Sequence, residues 1–180
     1  MRRSTGQEHA GDAGSEEPPA PFIRPPGALR DEAEFLAACE RCQACVEACP
    51  YEGVIQKFGP AHGQREGAPY LIPQEHPCRW CVDLPCANAC PTEALQIPPA
   101  RDGETPPAPI AEATLNRDTC LNSQGTICDT CAMMCPSHIK AIKMINRFPR
   151  FDAGQCTGCG MCAFYCESLP GSIAIVASPR

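Results

Sequence analysis

Cys39-Glu-Arg-Cys42-Gln-Ala-Cys45-Val-Glu-Ala-Cys49-Pro50 is the stretch that governs the reading of this chain. Three cysteines follow one another at intervals of three, a fourth comes four residues later, and a proline follows it. The cadence returns three times. Cys78, Cys81, Cys86 and Cys90 precede Pro91, and Cys120, Cys128, Cys131 and Cys135 precede Pro136. Cys156, Cys159, Cys162 and Cys166 close the series, with Glu167 where the proline would stand. The chain has 180 residues and 16 cysteines, so no cysteine lies outside the four groups. The sequence is therefore an internal repeat built on thiols.

Composition narrows what the repeat can be. Aromatic residues make up 6%, while 21 prolines and 14 glycines interrupt regular structure. A chain so poor in large side chains needs disulfides, metal ions or metal clusters to hold it together. The formal charge of −6 argues against a nucleic-acid partner held by a basic face. No apolar stretch is long enough to span a bilayer, so no membrane insertion is expected. Arg2-Arg3 is followed by STGQEHAGDAGSEEPP, with no hydrophobic region, so as written no export signal is read. The expectation is a cytoplasmic chain; the alternative is a periplasmic, membrane-associated one if an export signal is missing from the sequence. Disulfides are rare in the cytoplasm, which puts metal first.

The run C-x2-C-x2-C-x3-C-P is the ligand pattern of bacterial [4Fe–4S] ferredoxins, in which the fourth cysteine serves the other cluster of a pair. Three thiolates so spaced wrap one cubane if the backbone loops round it with its N–H groups turned inward. The x3 segment fits one helical turn, which carries the fourth cysteine about 6 Å along at 1.5 Å per residue. Proline then stops the helix. Structural zinc prefers two separated pairs closing one tetrahedron, and a disulfide framework has no reason to repeat this cadence. All sixteen cysteines are accordingly expected to be metal ligands to four [4Fe–4S] clusters. His9, His62, His76 and His138 are read as surface histidines.

The expected fold is α+β and loop-rich, with small strands and short helices, made of tandem or nested two-cluster ferredoxin-like modules. Residues 1–28 are read as a disordered N-terminal tail and 29–180 as the four-cluster domain, with motifs at 39–50, 78–91, 120–136 and 156–166. A helix is expected over Glu32–Cys39 behind acidic Asp31, with Phe35 and Leu36 inward. Loops are expected over 58–69 and 98–112. Short apolar segments at 53–55, 94–97, 139–145 and 172–176 are expected to be strands covering the clusters. Lys140 and Lys143 are read as a solvated face, and Trp80, Tyr51, Phe164 and Tyr165 as shields beside the ligands.

Groups two and three are each stretched once, by x4 and x7. That symmetry favours nested pairing: Cys39, Cys42, Cys45 with Cys166; Cys156, Cys159, Cys162 with Cys49. The inner pair would be Cys78, Cys81, Cys86 with Cys135, and Cys120, Cys128, Cys131 with Cys90. The alternative pairs neighbouring groups, one with two and three with four.

Several further stretches resemble the MauM/NapG-type ferredoxins. They are Ile23-Arg-Pro-Pro-Gly-Ala-Leu29, Glu34-Phe-Leu-Ala-Ala-Cys39, Cys45-Val-Glu-Ala-Cys-Pro-Tyr51 and Pro77-Cys-Arg-Trp-Cys-Val-Asp-Leu-Pro-Cys86. Thr119-Cys-Leu-Asn-Ser-Gln-Gly125 with its x7 gap and Leu169-Pro-Gly171 complete the match. The resemblance implies a four-cluster polyferredoxin passing electrons from a membrane quinol dehydrogenase (NapH/MauN-like) to a terminal oxidoreductase. No nucleotide fingerprint, Walker loop, free thiol or acid–base constellation is present, so no catalytic residue is expected and the chain reads as an electron carrier without a substrate site. The alternatives are an iron–sulfur subunit of a cytoplasmic multi-subunit redox enzyme, or a redox sensor.

Overall fold

The computed structural model describes residues 22–97 and 110–177. The fold is α+β and loop-rich. Its longest helix, α1, spans Glu32–Ala38. Asp31 caps it by accepting the Glu34 N–H at 2.9 Å, and Glu32 and Glu34 sit in its first turn, where the helix dipole favours negative charge. Phe35 is buried and Leu36 is half-buried, as the pattern predicts.

Four helices of four residues each follow, one per cysteine group. They are α2 (Ala44–Glu47), α3 (Pro85–Asn88), α4 (Thr130–Met133) and α5 (Met161–Phe164). Each holds the third cysteine of its group and delivers the fourth just beyond its end. Helices α2 and α3 pack together, and so do α4 and α5.

The strands form three antiparallel pairs. Strand β1 (Gln56–Lys57) pairs with β2 (Pro69–Tyr70). Strand β3 (Ala111–Leu115) pairs with β6 (Ile173–Ala177), Ala111 opposite Ala177 and Leu115 opposite Ile173. Ile173 and Ile175 point inward from β6 while Ala174 and Val176 face out, the period of two that one buried face demands. Strands β4 (Ile142–Ile145) and β5 (Phe148–Phe151) form a hairpin. Its two central residues, Asn146 and Arg147, have φ of 49° and 69°, as the right-handed strand twist requires of a two-residue turn.

The apolar segments expected as strands are so only in part. Ile139–Ile145 supplies β4 and the last segment supplies β6, but Gly53–Ile55 is a turn leading into β1, and Leu95 makes a single bridge to Ala28. The expected loop at 58–69 carries a 3-10 helix, Pro60–Arg65, kinked at Gly63. The loop expected over 98–112 lies mostly outside the described residues, and its last two residues open β3.

Residues 22–28, assigned by sequence to the tail, are part of the fold. Ile23 exchanges backbone hydrogen bonds with Leu71 at 3.0 and 2.8 Å. Gly27, at φ 83°, lies where a Cβ would run into the Gln96 carbonyl. Arg24 is buried, donates to Glu32 at 3.1 and 2.6 Å and to the Pro69 carbonyl at 2.5 Å, and lies over the Phe35 ring at 4.6 Å. An uncompensated buried cation is costly, so this cage is what allows the segment to pack. The rest of the expected tail, residues 1–21, lies outside the described residues.

Candidate metal centres

The C-x2-C loops turn as the ligand pattern asks. Arg41, Trp80 and Gly158, each just before the second cysteine of its group, have φ of 57°, 50° and 72°. Gln43, Leu84 and Gly160 adopt left-handed geometry again at the N-caps of α2, α3 and α5. Left-handed backbone is disfavoured for residues with a side chain and concentrates at functional sites, where surrounding contacts hold it. Here it curls the chain round and aims backbone N–H groups at sulfur: Trp80 N–H donates to Cys78 Sγ and Ser172 N–H to Cys166 Sγ, both at 3.4 Å.

Four cavities result, each ringed by four cysteines. Cavity I, about 390 Å³, is lined by Cys39, Cys42, Cys45 and Cys90, with Phe35 and Leu95. Cavity II, about 330 Å³, has Cys78, Cys81, Cys86 and Cys49, with Val54, Ile55 and Leu84. Cavity III, about 330 Å³, has Cys120, Cys128, Cys131 and Cys166, with Leu115 and Ile173. Cavity IV, about 300 Å³, has Cys156, Cys159, Cys162 and Cys135, with Ile139, Ile142 and Ile175. Every cysteine of the sequence belongs to one cavity.

The nested pairing is thereby corrected. Each group does give its fourth cysteine to another group, but to its neighbour in sequence. The reason is the packing of α2 on α3 and of α4 on α5, which sets each short helix's far end beside the neighbouring group's loop. The x4 and x7 insertions carry no pairing information. In the second of them Asn122 closes the loop, its Nδ2 donating to the Cys128 carbonyl at 2.6 Å and its Oδ1 accepting the Cys128 N–H at 3.1 Å.

Each ring crowds partly buried thiols together. Burial pushes Cys45 up to about 11, and thiolate at Cys39, Cys42 and Cys90 adds to the shift. Burial pushes Cys86 up to about 12, with Cys49 next in effect. Cys131 rises to about 11 by burial, helped by Cys128, Cys166 and Cys120 against the Ala132 N–H. Cys78 and Cys162 are also driven up, chiefly by burial. Four such groups can ionise together only around a positive centre, and coordination by metal deprotonates a thiol outright. Among the described residues no group of three or more His, Cys, Asp or Glu is placed to hold a single metal ion.

Cys166 differs. Burial works to raise it, but backbone and hydroxyl hydrogen bonds from Ser172 and Ser168 outweigh burial and bring it below the ordinary thiol value. Neither serine is marked by sequence pattern, and Arg24 and Asn122 lie in quoted stretches without their roles being readable there. Arg41 is a further addition: its guanidinium donates to the carbonyls of Cys39, Gln64 and Glu66, each at 3.0 Å, and so ties the cavity I loop to the 3-10 helix. Of the flagged aromatics, Trp80 is buried, Tyr165 is half-buried, and Tyr51 and Phe164 are largely exposed. Lys140 and Lys143 are exposed. His76 and His138 are exposed, His62 is half-buried against Phe58, and none of the three lines these four cavities; His9 lies outside the described residues.

Known proteins are similar to this sequence over most of the chain. The methylamine utilization ferredoxin-type protein MauM of Methylophilus methylotrophus is 39% identical over 165 residues, covering 87% of this chain and 71% of its own. MauM of Paracoccus denitrificans is 40% identical over 168 residues, 88% of this chain and 71% of its own. The chain belongs to the MauM/NapG ferredoxin-type family. The ferredoxin-type protein NapG of Haemophilus influenzae, 38% identical over 165 residues, is matched along 86% of this chain and 58% of its own length. No family model and no solved structure matches the chain. Membership makes this MauM/NapG chain an iron–sulfur protein of the electron-transport class, which agrees with thiol-ringed cavities. No helix among its described residues is long and apolar enough to cross a membrane.

Proposed function

We propose that each cavity of this MauM/NapG chain holds one [4Fe–4S] cluster on its four thiolates, and that the protein relays electrons between redox partners without substrate chemistry of its own. The sixteen metal ligands are the sixteen cysteines named above, and cavities I with II and III with IV make two ferredoxin-like modules in tandem. The observation that carries the reading is the distribution of thiols: four rings of four, each completed by a cysteine lent from the adjacent group, as paired clusters require. The clusters supply one-electron redox chemistry when bound. The protein supplies burial, N–H groups aimed at sulfur and apolar walls, the means by which cluster potentials are set. By the family resemblance the donor is a membrane quinol dehydrogenase and the acceptor a terminal oxidoreductase.

Iron analysis of anaerobically reconstituted variants tests both ligation and pairing. The wild type should hold about 16 irons, and Cys42→Ala with Cys90→Ala, both in cavity I, about 12. Cys42→Ala with Cys166→Ala empties two cavities and should leave about 8. Nested pairing reverses these two results. A wild type that takes up about one metal ion per cysteine group would sink the cluster reading.

A further inference from the structure

We propose that the four cavities form a single line in the order I, II, IV, III, with I and III as its ends and the two halves of the chain meeting between cavities II and IV, where Cys78 contacts Cys159. The proposal rests on the cluster reading above.

Adjacency within each half follows from the exchanged cysteines. Cys49 leaves α2, which holds a cavity I ligand, and completes cavity II; Cys135 leaves α4, which holds a cavity III ligand, and completes cavity IV. Between the halves, the contacts converge on one place. Cys78 of cavity II donates its backbone N–H to the carbonyl of Cys159 of cavity IV at 2.8 Å. His138, three residues past the cavity IV ligand Cys135, places a ring nitrogen 2.7 Å from the carbonyl of Trp80, which lies between the cavity II ligands Cys78 and Cys81. Gln74 Nε2 donates to Ile175, a wall residue of cavity IV, at 3.2 Å. Gly160, also in that wall, abuts Pro73.

Cavity I is rimmed by Cys42, the one exposed cysteine of the sixteen. Ile127, next in sequence to Cys128 of cavity III, is 85% exposed. Each crossing along the line oxidises one cavity's occupant as it reduces the next, with no bond made or broken.

Electron paramagnetic resonance of the fully reduced, reconstituted full chain tests the order, because neighbouring reduced clusters couple magnetically. Cys42→Ala with Cys90→Ala should leave about 12 irons in three mutually coupled clusters. Cys135→Ala with Cys156→Ala should also leave about 12, but with one cluster now giving an uncoupled signal beside a coupled pair. An isolated signal in the first variant, or three coupled clusters in the second, would overturn the order. Unchanged iron in both would instead overturn the ligand assignment on which it rests. Should the second variant not fold, pulsed dipolar measurements on the partly reduced wild type decide: a line gives three strong couplings and one pair much weaker than the rest, whereas six similar couplings refute it.

Discussion

Gly160→Ala gives the sharpest test of how the two halves are joined. Gly160 sits between the ligands Cys159 and Cys162, at the N-cap of α5, with φ 86°. A residue with a side chain in left-handed geometry costs about 1–2 kcal/mol. The added Cβ would also stand 2.6 Å from the Pro73 carbonyl oxygen and 2.9 Å from its carbon, backbone atoms that cannot swing aside. Overpacking of this kind costs about 1–3 kcal/mol, so the total is about 2–5 kcal/mol. For a chain of this size that lowers the melting temperature by about 4–20 °C. Because the displaced loop carries two cavity IV ligands, iron should also fall from about 16 toward 12. Circular dichroism melts at one scan rate, with iron analysis on the same samples, read both effects. Gly59→Ala is the control: nothing lies within 4 Å of its Cβ position and its φ is −76°, so it should stay within about 0.5 kcal/mol of wild type. A Gly160→Ala protein that melts within about 2 °C of wild type with full iron would refute the argument.

Other substitutions probe separate parts of the molecule. Asn122→Ala removes both bonds that close the seven-residue gap and should cost about 2–3 kcal/mol, with cavity III emptied first; iron analysis beside denaturant unfolding checks it. Arg24→Met strips the Pro69 carbonyl of this donor and breaks the ring contact, while Arg65 still holds Glu32 at 3.0 Å, so a loss of about 2–4 kcal/mol in urea unfolding is expected rather than the full cost of a broken buried pair. Metal-free protein should be pH-sensitive on the alkaline side. Folded-state values of about 11 for Cys45 and Cys131 and about 12 for Cys86, against 9.0 when unperturbed, mean that the unfolded chain loses those protons first. Their stabilising effect is complete below pH 9 and disappears as pH rises through about 11 to 12, so the urea midpoint should drop across that window; a flat profile would contradict the burial of these thiols.

The grouping of the cysteines and the local geometry round them were legible because cysteine spacing encodes them directly. Two residues between thiols force a tight loop, and three more fit one helical turn, so α2 to α5 follow from arithmetic on the cysteines. The α1 helix was legible from Asp31, its acidic first turn and the inward Phe35. Which group lends its cysteine to which was not legible, since that depends on how four-residue helices pack across long intervening segments. The x4 and x7 gaps suggested a symmetry that packing does not use. Nor could the place of Arg24 be read: a charged residue among prolines looks solvated until Glu32, Pro69 and Phe35 are seen around it. The roles of Asn122 and Ser172 escaped for a related reason, because each acts on a cysteine six residues away through a turn whose closure spacing alone does not show.

The lending of the fourth cysteine between adjacent groups has a consequence for how the protein is made. Cavities I and II have all their thiols once synthesis has passed Cys90, with the second half of the chain still unmade. Cavity IV must wait for Cys162 and cavity III for Cys166. Nested lending would have left every outer ring open until the last group emerged. The neighbour arrangement lets the chain mature from its N-terminus in two stages, each closing two rings together, and keeps the number of unsatisfied thiols low at every length.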